Sequence, residues 1–262
     1  MQKSEFLTIY ATYSNLEGTK QTLPSVIEET MRNDARLIVH DSTEIQHGQK
    51  EKWAYLRSLE QEFGFFLILS TNLSMAHARN MCLHLGRELF APDYIAMVED
   101  DHGYREGLVS SLVQAMKTYY GKVAPNGLRI GLFSACASHP KANKEYLPNT
   151  RHRYAPINIT GKPFPPGAVN SCFRCAPTQH WDQVLKGYDT DEYLISVFQT
   201  NNLNLRNYHK GFCSLLVENG DLMFDIKMEG RGFSSGNQLR LWDDNYTASD
   251  PRSKFLGKKS EQ

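Results

Sequence analysis

Along the first 135 residues the apolar positions follow two alternating rhythms. Short β-prone runs at 6–12 (FLTIYAT), 35–41 (ARLIVHD), 65–71 (FFLILST), 93–98 (DYIAMV) and 129–137 (RIGLFSACA) predict strands. Between them apolar residues recur at helical spacing. Leu23, Val26, Ile27 and Met31 mark a helix over 15–32, and Trp53, Leu56 and Leu59 mark another over 50–64. Further helices are predicted over 74–90, with Ser74 as N-cap, and over 106–120; Gly64 is the expected stop of the second helix. Strand and helix in strict alternation predict an α/β class: a Rossmann-like, mixed but mainly parallel sheet flanked by helices. The rhythm lapses from Ser138 to Gly167, a proline-rich and basic stretch that reads as a long loop. It returns with a strand at 167–175 and a helix at 191–203, and from Gly230 the chain turns glycine-rich and polar. These breaks predict one domain in two halves, 1–135 and 136–229, followed by a partly mobile extension, 230–262.

The early strands run into polar clusters: Thr12-Tyr13-Ser14-Asn15, Asp41-Ser42-Thr43-Glu44, and Glu99-Asp100-Asp101. Parallel sheets bind ligands outside the carboxyl ends of their strands, so these clusters are expected along one functional edge. Strand alternation would point Glu99 and Asp101 one way and Asp100 the other. Carboxylates so spaced suit a hard divalent cation, Mg²⁺ or Mn²⁺, that also reaches substrate phosphates. The competing reading is a solvated acidic turn.

Composition narrows the setting. Twenty-nine basic and 29 acidic residues cancel, so no global field draws the chain to nucleic acid or to an anionic membrane. Five cysteines, irregularly spaced, argue for reduced thiols and against a disulfide framework. Cys172-x-x-Cys175 stands without a second pair and reads as a strand end, not a zinc or redox site. No stretch has the length of a membrane span, and the N-terminus lacks the flanks of a signal peptide; a cytoplasmic protein is expected, with peripheral membrane contact left open.

Taken in order, "LTIYATYSN", "LIVHDSTE", "LSMAHARNMCLHLG", "DYIAMVEDD", "PPGAVNSCFR" and "YDTDEYLISV" resemble the family 2 nucleotide-sugar-dependent glycosyltransferases, which have the GT-A fold. The resemblance implies a donor-binding half (1–135) and an acceptor-binding, catalytic half (136–229). It implies that Thr12 and Tyr13 line the nucleotide pocket, Asp41 accepts from a nucleobase N–H, Arg79 sits near base or diphosphate, and Asp100 faces the ribose. Asp101 would hold Mn²⁺ or Mg²⁺, with Glu99 in the place of the first acid of a D-x-D motif and acting through water. Asp191 is the expected base of an inverting transfer, ahead of Glu192 and then Asp189; acid enrichment at a helix start is the plainer alternative. The second strand departs from the family's acid-rich ending, since His40 precedes a single Asp41. The donor is expected to be a uridine diphosphate sugar and the acceptor a hydroxyl on a glycan, lipid-linked sugar, protein or modified nucleobase. His139 and His209 are further candidates for the metal, and Trp181, Tyr188 and Trp242 for an acceptor platform. Lys141, Lys144, Arg151, His152 and Arg153, with Tyr146 and Tyr154, suit a lid over the diphosphate or a plain solvated loop better than a nucleic-acid contact. Two other readings remain: a nucleotidyltransferase, which would want a glycine-rich phosphate loop after the first strand, and an inactive nucleotide-sugar-binding relative.

Overall fold

The computed structural model describes residues 3–71, 75–135, 145–154, 173–188, 203, 206–217 and 222–226. Its first half follows the predicted alternation: β1 (Phe6–Thr12), α1 (Leu16–Arg32), β2 (Arg36–Asp41), α2 (Gln49–Phe63), β3 (Phe66–Leu69), α3 (Met75–Phe90) and β4 (Tyr94–Glu99). There follow β5 (His102–Tyr104), α4 (Leu108–Tyr119) and β6 (Arg129–Ser134), then β7 (Glu145–Tyr146), β8 (Arg153–Tyr154), β9 (Phe173–Pro177), a short α5 (Thr178–His180) that continues as one π-helical turn over Trp181–Leu185, β10 (Phe212–Leu216) and β11 (Met223–Asp225).

The main sheet runs β3-β2-β1-β4-β9-β6-β10-β8-β7. Strands β3, β2, β1 and β4 are mutually parallel, and β10 lies parallel to β6. Strand β9 runs antiparallel between β4 and β6, which makes the sheet mixed. Because β9 belongs to the second half of the chain and its neighbours to the first, one sheet unites the two halves. The structure departs from expectation at three places. The basic stretch read wholly as loop contains the β7–β8 hairpin. Strand β10 was not foreseen, because a short all-buried run such as FCSLL carries no alternation to betray it. The ribbon β5–β11 was also missed; each of its strands has only three residues.

Alternation sorts the core. Phe6 and Tyr10 of β1, Leu37 and Val39 of β2, and Ala96 and Val98 of β4 pack with α1 and α4 residues on one face. Leu7, Ile9, Ile38, Ile95 and Met97 pack on the other with Leu83 of α3 and with Trp181 and Leu185. Burial on both faces explains why these strands read as continuous apolar runs. Helix α1 starts where the Asn15 side chain accepts from the Gly18 N–H at 2.9 Å. Helix α2 ends at Gly64, whose φ of 71° is left-handed and whose N–H reaches the Glu60 carbonyl, the predicted stop.

Glu29 of α1 is buried, and its Oε1 accepts from the Val109 N–H at 3.1 Å, in the first turn of α4, while Arg32 and Asn33 hold the carboxylate from behind. Helix α4 opens at Gly107, which has no side chain to cap it, so Glu29 supplies that acceptor from another helix. Replacing Glu29 by Gln is expected to cost about 2 kcal/mol of stability, read as the change in urea unfolding free energy; a change near zero would show that the α4 terminus does not depend on it.

Candidate functional site

The alternation that sorts the core also sorts the polar residues just beyond it. Thr12 lies beside Asp41 in register, and Ala11 beside Glu99, so Thr12, Asp41 and Asp100 line up across three strand ends on the α1 face. His40 and Glu99 fall on the α3 face. Thr19 and Thr22 of α1 underlie the first row: Thr19 Oγ1 sits 3.0 Å from Thr12 Oγ1, and Thr22 Oγ1 donates to the Asp100 carbonyl at 3.1 Å.

Asp41 is fully buried. Its Oδ1 accepts from the Thr43 N–H (3.0 Å) and the Trp53 indole N–H (2.8 Å), and its Oδ2 from the Thr43 hydroxyl (2.8 Å) and the Lys52 ammonium (2.8 Å). A carboxylate has about four acceptor directions, and here all of them are met from inside the protein. The expected contact with a nucleobase N–H therefore finds no outward-facing acceptor. Lys52 is itself 1% exposed and also donates to Thr12 Oγ1 at 2.6 Å. Thr12 in turn donates to Asp100 Oδ2 at 2.6 Å, and the Tyr13 N–H approaches the same oxygen at 3.4 Å. Thr12 is thus buried, while Tyr13 is half-buried with its ring edge-on to His47.

The acidic triplet divides its tasks. Glu99 pairs with Arg79 of α3, Asp100 is tied to Thr12, and Asp101 lies in the turn after β4 with its Oδ1 2.5 Å from His102 Nδ1. Asp100 is 8% exposed, whereas the Asp101 side chain is 34% exposed, so Asp101 is the acid that presents to solvent. Strand β4 ends at Glu99, so Asp100 and Asp101 both lie in the turn beyond it; Asp100 bonds Thr12 on the α1 side, opposite Glu99, and alternation no longer pairs Asp101 with Glu99. The turn is held by β5 and β11: Ile226 N–H donates to the Asp101 carbonyl at 2.9 Å, and Gly103 leaves room for the Phe224 ring, which a Cβ would meet at 2.0 Å.

Helix α3 links the triplet to the second half of the chain. The Arg79 guanidinium lies over the Tyr188 ring at 4.9 Å. The Asn80 side chain donates to the Tyr188 carbonyl and accepts from its N–H, both at 2.7 Å. Gly187 makes this approach possible: its φ is +70°, and a Cβ would lie 2.6 Å from Asn80 Oδ1. Asp191, Glu192 and Asp189, the expected base and its alternatives, lie outside the described residues, as do His139, Trp242, Lys141, Lys144 and Cys172; Tyr188 stands three positions before Asp191.

Other candidates sort differently. Trp181 is fully buried and donates to the Ile95 carbonyl at 3.1 Å, so it is core and not an acceptor platform. Tyr188 is buried under Arg79. His209 is exposed beside Tyr208. Cys175 is a buried thiol 3.6 Å from the Met116 sulfur, and burial pushes its pKa well up, which removes the reactivity a redox site needs. Among the described residues no cluster of three or more His, Cys, Asp or Glu is arranged to hold a metal, and no helix is long and apolar enough to cross a membrane. In the loop after β1 the Asn15 side chain already accepts from the Gly18 N–H, and its carbonyl from the Thr19 N–H. Lys52, Trp53, Asn80 and His102 were missed as site residues. Lys52 left one sign: it sits four residues before Leu56 on the buried stripe of α2, where a charge is out of place.

No family model matches the sequence, and no curated protein matches it significantly. Solved structures do match. The chain is similar to a mannosyltransferase, PcManGT from Pyrobaculum calidifontis, in complex with GDP-Man and Mn²⁺ (TM-score 0.54, 14% identity, over 88% of this chain and 59% of that one). It is similar also to residues 1–349 of S. aureus TarS in complex with UDP-GlcNAc (TM-score 0.53, 12% identity, over 90% of this chain and 61% of that one). The likeness shows the GT-A glycosyltransferase fold, in which this chain spans about three fifths of the length of each relative.

Two buried histidines set an acid limit on the fold. Burial drives His40 down to about 4, against the pull of Asp41 and with the help of Arg79. His180, bonded to Asn207, is likewise lowered by burial to about 4. Between the ordinary 6.5 and about 4 the unfolded chain binds these protons and the folded chain does not, so stability falls as pH falls through that window. Each histidine contributes up to about 3 kcal/mol of loss. Urea unfolding from pH 7 to pH 4 should show this slope, and it should flatten in the His40→Gln/His180→Gln variant; an unchanged slope would assign acid sensitivity to other groups.

Proposed function

We propose that this chain is a metal-dependent, inverting glycosyltransferase of the family 2 type, transferring a sugar from a nucleoside diphosphate, most simply UDP, to a hydroxyl acceptor. The observation that carries the reading is the division of the acidic triplet. Arg79 holds Glu99, Thr12 holds Asp100, and Asp101, bonded to His102, is the most exposed of the three, in a turn at the carboxyl edge of the sheet. Such an edge is where open α/β sheets hold nucleotides. The chain's likeness to structures solved with GDP-Man and Mn²⁺ and with UDP-GlcNAc supports a nucleotide-sugar donor.

The residues present fit a divalent cation of the magnesium or manganese type, which commonly takes one or two protein carboxylates and completes its shell with phosphates and water. Asp101 is the ligand, with Glu99, engaged by Arg79, acting through water. When bound, such an ion neutralises the charge that gathers on the departing diphosphate. Tyr13 flanks the base, with His47 packed against its edge, and Asp100 faces the ribose. Arg79 holds Glu99 and, with Asn80, fixes Tyr188, so that α3 orients the segment that leads to the acids at 189–192. Asp191, ahead of Glu192, takes the proton of the acceptor hydroxyl as its oxygen attacks the anomeric carbon opposite the leaving group. Residues 1–135 serve the donor and 136–229 the acceptor, in a cytoplasmic protein.

The test is nucleotide-sugar hydrolysis and transfer with Mn²⁺, Mg²⁺ or EDTA. Chelation should abolish turnover, and Asp101→Ala should lower kcat/KM by about 100-fold or more with the fold intact by circular dichroism. Unimpaired metal-dependent turnover in Asp101→Ala would sink the metal assignment. An absence of turnover with every nucleotide sugar would leave nucleotide binding without transfer as the better description.

A further inference from the structure

The assigned roles give no task to the buried charge of Lys52. Lys52 enters the site from α2, 1% exposed, with its ammonium 2.8 Å from Asp41 Oδ2 and 2.6 Å from Thr12 Oγ1. A buried lysine is expensive unless paired, and here the pairing has a direction. An ammonium has only donors, so the Thr12 oxygen must accept from it. Thr12 owns a single hydroxyl proton, and an ionised carboxylate can only accept, so that proton goes to Asp100 Oδ2, 2.6 Å away. On the other side, Lys52 fills the last acceptor direction of Asp41, the others being taken by Thr43 and Trp53.

We infer that Lys52 is a positioning residue of the donor site. It closes Asp41 to the nucleobase and, through the hydroxyl of Thr12, orients Asp100 toward the donor's ribose. The inference rests on the nucleotide-sugar reading above and sharpens it: the donor is selected by its ribose at Asp100, and the imide N–H of its base is not read by Asp41. Two acids at neighbouring strand ends thereby take different tasks, because one buried cation bonds to the first directly and to the second through a hydroxyl.

The experiment uses the double variant Asp41→Asn/Lys52→Met, which removes the ion pair as a neutral unit of similar volume and so leaves no uncompensated charge in the core. Calorimetric binding of UDP, CDP and 2′-deoxy-UDP is measured with Mn²⁺ present. UDP and CDP differ in whether the base offers an imide N–H; UDP and 2′-deoxy-UDP differ only in the ribose hydroxyl. The preference for UDP over CDP should stay within about threefold of wild type, while the preference for UDP over 2′-deoxy-UDP should fall about tenfold, the loss of one charge-assisted hydrogen bond. Thr12→Val should reproduce the second effect and Thr12→Ser should preserve the ribose preference, a contrast that a merely structural role for Lys52 would not produce. A collapse of the UDP-over-CDP preference in the double variant would show Asp41 reading the base and overturn the inference with the donor reading intact. An undiminished ribose preference would overturn it equally. If wild type binds none of the three nucleotides, the donor reading itself fails and this inference with it. Should the double variant not fold, the two Thr12 variants decide the ribose arm, and 3-methyl-UDP decides the base arm on the wild-type protein: binding within about threefold of UDP supports closure of Asp41, and loss beyond about tenfold overturns it.

Discussion

Strands β1, β2 and β4 lie side by side in the sheet, and the period of two that buries their apolar residues continues into the polar residues at their ends. That constraint governs the site. Even-numbered side chains of β1 and β4 and odd-numbered ones of β2 face α1, which gathers Thr12, Asp41 and Asp100 into one row. The opposite parity gives His40 and Glu99 to the α3 face, where Glu99 meets Arg79. A one-residue slip of β4 against β1 would exchange Glu99 for Asp100 and leave Arg79 without its acid. The register is held by a core too dry to accept such a slip: Ile9, Ile95 and Ala96 are fully buried, and Val98 is nearly so.

On that frame the polar groups form two chains of bonds, one on each face of the sheet. Trp53, Asp41, Lys52, Thr12 and Asp100 make the first, and Glu99, Arg79, Tyr188 and Asn80 the second. The first is closed within the first half of the sequence. The second crosses to the second half at Tyr188, so helix α3 ties the two halves together. Buried networks of this kind are stable only when every member is satisfied, which ties the geometry of the strand ends to the integrity of α2 and α3.

Much of this was legible in the sequence for a definite reason. Strands covered on both faces read as apolar runs, and helices with one apolar stripe show a helical period; their regular alternation made β1 to β4, β6 and α1 to α4 legible. The acids at 99–101 and Asp41 stood out because like charges at the ends of apolar runs demand a reason. The ribbon β5–β11 did not, since three residues carry no period, and neither did β10. The partners of the acids were hidden because pairing is tertiary. Nothing in "KEKWAYL" says that Lys52 turns inward to Asp41 while Lys50 stays outside, beyond the four-residue step from Lys52 to Leu56. Asn80 lies within a predicted helix, yet its two bonds to Tyr188 join positions 108 residues apart.

In the proposed transferase a cation and a nucleoside diphosphate meet at the turn after β4. Backbone amide NMR with substoichiometric Mn²⁺ tests it directly, because the ion's unpaired electrons broaden nearby signals. With UDP present, the amides of Asp100, Asp101, His102 and Tyr13 should broaden first, and the effect should weaken when UDP is omitted. Sharp signals at those four positions, with broadening concentrated elsewhere on the chain, would contradict the account.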